Sequence, residues 1–115
     1  MDRIHAVSLF PSIPPSALDE FKHILSELKT LAESETGTLE WQWFLSADER
    51  QCITFESFVD SAAVLTHIEG AGGRGARLVE LAGGLRLEVL GDTSDELGAA
   101  LADWGASVFA FGQGK

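Results

Sequence analysis

Residues Gly37 to Glu69 read GTLEWQWFLSADERQCITFESFVDSAAVLTHIE. After the glycine, Leu39, Trp41, Trp43 and Leu45 share one parity, and Thr38, Glu40, Gln42 and Phe44 the other. A period of two with aromatic enrichment predicts a half-buried β-strand. SADER is a polar turn, and Cys52 to Phe58 alternates again, with Ile53 and Phe55 on one parity and Thr54 and Glu56 on the other. Two strands joined so briefly must be antiparallel neighbours. Asp60 or Ser61 then caps a helix carrying Val64, Leu65, His67 and Ile68. If the chain has a pocket, residues from these three elements are expected to line it.

Working outward, Arg3 to Phe10 is apolar and partly β-branched and ends at Pro11, a first strand. Ser12 or Ser16 can cap the helix that follows, in which Leu18, Phe21, Leu25, Leu28 and Ala32 recur at steps of three and four. Gly37 stops it. GAGGRG, Gly70 to Gly75, breaks the second helix, and a helical pattern resumes through Leu78 and Leu81. Leu85 to Leu90 alternates once more. Thr93-x-x-Glu96 has the form of a capping box before a short helix with Leu97, Leu101 and Trp104, and Ser107 to Phe111 is a last short strand. The order β-α-β-β-α-β plus an appended α-β predicts an α+β fold: a ferredoxin-like antiparallel sheet with helices on one face and an extra C-terminal helix and strand. By parity, Leu39, Trp41, Trp43, Ile53, Phe55, Leu85, Leu87 and Val89 should face the helices. Glu40, Gln42, Thr54, Glu56, Arg86 and Glu88 should share the other face, with Glu40 and Glu56 as cross-strand neighbours.

The 115 residues suit a single domain, 1–115, and 45% apolar content suffices for a globular core. A formal net charge of −10, with only eight Lys and Arg, argues against nucleic acid, whose phosphates need clustered cations. No apolar run reaches membrane-spanning length, so no membrane partner is expected. MDRIHAVSLF lacks a basic region followed by a long apolar stretch. No signal peptide is expected, and the cytoplasm is the default compartment. The lone Cys52 excludes an intrachain disulfide and reads as a small buried hydrophobe.

The run Glu35-x-Gly37-x-Leu39-x-Trp41, followed by Glu56-x-Phe58-x-Asp60-x-x-Ala63-x-x-x-His67-Ile68, resembles the antibiotic biosynthesis monooxygenase family, including its quinol monooxygenase-like members. Leu90-Gly91-Asp92, Ser94-x-Glu96-Leu97 and Trp104-Gly105-Ala106 are similar to an extension seen in some members. The resemblance implies a homodimer with two sheets face to face, a dimeric α+β barrel. It also implies, for some members, oxidation of a small phenolic or quinol-type aromatic substrate by O2 with no cofactor. The asparagine-tryptophan-histidine set of the haem-degrading relatives is not evident.

Within that frame His67 is the candidate catalytic residue, and Trp41, Trp43 and Phe55 are the candidate substrate-binding residues. Each has a plainer reading as core. Cofactor-free oxidation of a phenol needs the substrate anion, and a base titrating near neutrality suits its formation; unperturbed histidine does so near pKa ~6.5. The alternatives are a non-catalytic ligand-binding or interaction module on the same dimeric barrel, and an isomerase or cyclase using His67 for proton transfer alone. GAGGRG matches a dinucleotide-binding glycine pattern literally, but a helix precedes it where a strand is required, so it reads as a flexible loop. No metal set is apparent, since His67-x-Glu69 lacks a third ligand.

Overall fold

The structure is a computed structural model that describes residues 2–115. Five strands, β1 (Ile4–Phe10), β2 (Thr38–Leu45), β3 (Cys52–Phe58), β4 (Arg86–Leu90) and β5 (Ser107–Phe109), form one sheet in the order β2-β3-β1-β4-β5. The four strands of the ferredoxin-like core pair antiparallel; the appended β5 lies parallel to β4. Parallel neighbours need a crossover, and the helix between β4 and β5 supplies it. The helices α1 (Leu18–Ser34), α2 (Ser61–Ala71), α3 (Arg74–Leu81) and α4 (Asp95–Ala102) bury apolar residues against one face of this sheet. Among the described residues no helix is long and apolar enough to cross a membrane.

Helix α1 buries Phe21, Ile24, Leu25, Leu28 and Ala32. Phe21 meets Phe10 of β1 edge to face, their ring centroids 5.3 Å apart. Neither Ser12 nor Ser16 caps it: a single 3-10 turn, Pro15–Ala17, leads in, and Asp19 and Glu20 meet the positive end of the helix dipole. Asp60 caps α2, accepting from the Ala63 backbone N–H at 2.9 Å. In α4 the cap is Ser94 rather than Thr93, accepting from the Leu97 N–H at 3.1 Å.

Strand parity holds in β4 and fails in β3. Leu87 and Val89 stand opposite Ser8 and Ala6 on the helix side, while Arg86 and Glu88 lie on the open face, as expected. In β3 the register pairs Ile4 with Phe58 and Phe10 with Cys52, and all four are buried. Thr54 and Glu56 share their parity and therefore lie under the helices. Ile53 and Phe55, expected there, project from the open face, where Ile53 is 42% exposed. The frame of a strand flips as a unit, and burial of Cys52 and Phe58 outweighs that of Ile53 and Phe55. Glu40 pairs with Ser57, and Glu56 with Trp41, so the two glutamates occupy opposite faces rather than neighbouring positions. A bulge between Thr38 and Glu40 displaces Leu39, which is exposed instead of facing the helices. Leu85 falls just before β4 and packs against the core from the loop. The Cys52 thiol is buried, and burial pushes its pKa up to about 11, an inert apolar filler.

Candidate functional site

Three polar side chains meet where α1 ends, β3 crosses and α2 begins. Glu35 is the residue that ends α1, in an extended conformation. Gly37, two residues on, lies so close to α2 that a side chain there would come within 2.7 Å of Ala63 Cβ. Only glycine lets the first turn of α2 settle against this corner, which brings the helix down over Glu35. His67 lies two turns along α2 and is 7% exposed. Its Nδ1 is 2.6 Å from Glu35 Oε1, and its Nε2 is 3.5 Å from Glu56 Oε1. Phe58 lies against the imidazole, centroids 5.6 Å apart.

Glu35 Oε1 also accepts from the Thr38 hydroxyl at 3.0 Å. As a double acceptor it takes the Nδ1–H of His67, and Nε2 is turned toward Glu56. Thr54 donates to Glu56 Oε2 at 3.1 Å. Burial pushes the Glu56 pKa above the usual glutamate value; the charge of His67 and hydrogen bonds from Thr54 and Trp41 pull it back, and the charge of Glu35 pushes it further up. A carboxyl biased toward its neutral form thus faces Nε2 of the imidazole, and Glu35 holds that ring from behind.

Glu56 and His67 border a cavity of about 130 Å³ between the sheet and α2, α3 and α4. Its other walls are mostly apolar, among them Trp41, Phe58, Leu78, Leu87 and Trp104. That volume is near the roughly 150 Å³ that accommodates a benzene ring. The cavity meets the α2–α3 break at Gly72. At Gly75 an added Cβ would come within 3.0 Å of the Trp104 indole, so the glycine lets that ring close against α3.

Of the residues expected at the site, the structure brings together His67 and Trp41. Trp43 stays on the helix side but packs into the core cluster around α1. Phe55 lies on the opposite face of the sheet, stacked on His5 at 6.2 Å; the strand frame that buries Glu56 turns it away. His5 also contacts Ser57 Oγ through Nδ1 at 2.8 Å on that face. Charge and periodicity singled out neither Glu35 nor Glu56; parity assigned Glu56 to the polar face of the sheet. The available signal was their place in the Glu-Gly and Glu-Phe-Asp-Ala-His runs. Among the described residues no three His, Cys, Asp or Glu side chains are grouped to hold a metal ion.

No family model and no curated protein matches the sequence. Solved structures do. MupZ from Pseudomonas fluorescens aligns with 100% of this chain and 94% of its own, at 21% identity and a TM-score of 0.82. A protein named "putative antibiotic biosynthesis monooxygenase" from Caulobacter crescentus aligns with 76% of this chain and 87% of its own, at 22% identity and a TM-score of 0.67. A protein of the same name from Bacteroides thetaiotaomicron gives 19% identity and a TM-score of 0.66, over 75% of this chain and 85% of its own. The fold is that of the antibiotic biosynthesis monooxygenases. MupZ matches over the whole length, so the α4–β5 extension has a counterpart there. Identities this low establish the fold and leave the chemistry to the site.

An acid whose pKa is higher in the folded state stabilises the fold while protonated, and that contribution fades as pH rises through the folded pKa. Glu56→Gln removes this loss. Its melting temperature should therefore exceed that of the unaltered protein increasingly as pH climbs above the usual glutamate value of about 4.3, and the two should converge below it. A gap of constant size between pH 4 and 8 would show that Glu56 does not titrate in this way.

Proposed function

We propose that the protein is a monooxygenase that oxidises a small phenolic or quinol-type aromatic substrate with O2, with Glu56 and His67 as its acid–base pair. The observation that carries this reading is the contact of His67 Nε2 with the largely enclosed Glu56 at the wall of an apolar cavity the size of one aromatic ring. Nε2 of His67 accepts the phenolic proton, with Glu35 steadying the imidazolium that forms. The phenolate passes an electron to O2, and the two radicals join as a ring peroxide. Loss of water from the peroxide, with the proton returned by the pair, leaves a quinone. One oxygen atom enters the ring, the other leaves as water, and the substrate supplies all four electrons. Apolar walls keep water from the intermediates.

The same pair supports an isomerase or cyclase, because a carboxyl biased toward its neutral form beside a free imidazole nitrogen supplies an acid and a base at once. Oxygen-electrode measurements with a panel of single-ring hydroquinones and phenols separate the two. The monooxygenase reading expects O2 uptake that falls about 10²- to 10⁴-fold in His67→Gln and in Glu56→Gln. His67→Ala should in addition cost roughly 1–3 kcal/mol of stability, because it orphans Glu35. Deuterium exchange into the ligand without O2 uptake would support proton transfer alone; neither would leave a binding module.

We also propose a homodimer joined through the open sheet face. Phe44, Ile53 and Leu90 are 55%, 42% and 38% exposed there, beside Gln42, Arg86 and Glu88. Exposed apolar side chains among polar neighbours on one sheet face suit a protein interface. Sedimentation should give twice the 12.3 kDa chain mass at micromolar concentration, and Phe44→Glu with Ile53→Glu should give the monomer. A monomer before substitution contradicts the proposal.

A further inference from the structure

Glu35 and Glu56 touch the same imidazole from different compartments. The cavity is lined by Glu56 and His67 but not by Glu35. Glu35 instead lines a separate surface depression of about 260 Å³, formed with Thr36, Gly37, Asp60, Ala62 and Thr66, which neither His67 nor Glu56 reaches. The imidazole is the partition between them, with Nδ1 on the depression side and Nε2 on the cavity side. A ligand that fills the cavity would seal Glu56 from water, yet an acid–base residue must exchange protons with water between turnovers.

The geometry points to Glu35 as the outer end of a proton path, Glu56–His67–Glu35, that connects the cavity to solvent through this second depression when a ligand fills the cavity. The path rests on the acid–base reading of Glu56 and His67. In the outward direction the Glu56 proton passes to Nε2 while the Nδ1 proton passes to Glu35 Oε1, and Glu35 releases it to water in the depression. No electrons move, and the imidazole is left as the Nε2–H tautomer. A proton taken up by Glu35 runs the path backward and restores both Nδ1–H and the neutral Glu56. Glu35 is on this account a positioning and relay residue rather than one that touches substrate. Thr38, which donates to the same oxygen of Glu35 at 3.0 Å, holds that oxygen in line.

Proton and nitrogen-15 NMR of the His67 ring tests this in the ligand-free protein. Glu35→Gln keeps an acceptor for Nδ1–H but cannot carry a proton, so solvent exchange of the His67 ring proton should slow at least tenfold. Glu56→Gln, which removes the proton that enters Nε2, should slow that exchange as well. Ala62→Phe, at an exposed site on the rim of the depression, leaves all three groups in place and covers the outlet; it should slow exchange as well, and it decides the matter if Glu35→Gln does not fold. Removing a merely structural bond would loosen α2 and speed exchange, the opposite sign. Exchange as fast as in the unaltered protein in both Glu35→Gln and Ala62→Phe, or slowing in Glu56→Gln alone, overturns the path. The measurement needs no substrate, so absence of O2 uptake would defeat the monooxygenase reading and leave this result standing.

Discussion

The pairing of β3 with β1 is the constraint on which the rest of the structure depends. Ile4 and Phe58 at one end and Phe10 and Cys52 at the other are locked into the core together, which leaves Thr54 and Glu56 between them no choice of face. A carboxyl is thereby carried beneath three helices. Burying it unpartnered would cost several kcal/mol. The sheet offers Thr54 and Trp41 as donors, and α2 offers His67. The core's apolar demand and the site's polar one are met by the same seven residues of β3.

A histidine held between two glutamates is an uncommon use of a buried position. For stability alone an apolar side chain would serve better, because replacing buried polar groups by packed hydrophobes is often neutral or favourable. Here the arrangement sets apart two carboxyls of one chemical type. Glu35, with Thr38 and His67 both donating to it, is a double acceptor; Glu56, in the apolar cavity, is pushed toward its neutral form by burial. The cavity adds the size limit, room for about one ring, and the tryptophans on β2 and beyond α4 add flat apolar walls.

The ferredoxin-like order, every helix and each strand of the core were legible in the sequence, because alternation and three-to-four spacing are strong in α1, β2, β3 and β4. The site was legible in part. His67 stood out as a lone polar residue on an apolar helix face, and Trp41 as an aromatic on a half-buried strand. Phe55 was misread for a physical reason: local alternation places the larger apolar pair, Ile53 and Phe55, inward, while the tertiary frame is set by the strand's ends. The same flip hid Glu56 among residues that looked solvated. Glu35 was hidden differently. It lies at a helix end, where a glutamate is ordinarily exposed, and only the approach of α2 over Gly37 encloses it.

The central claim is that Glu56 lies largely enclosed against His67 and that this enclosure raises its pKa. Carbon-13 titration of the glutamate side-chain carboxyls, with Glu56 assigned by its loss in Glu56→Gln, tests it directly. The account predicts a Glu56 transition above the usual glutamate value of about 4.3. A Glu56 carboxyl that titrates at or below that value would contradict it.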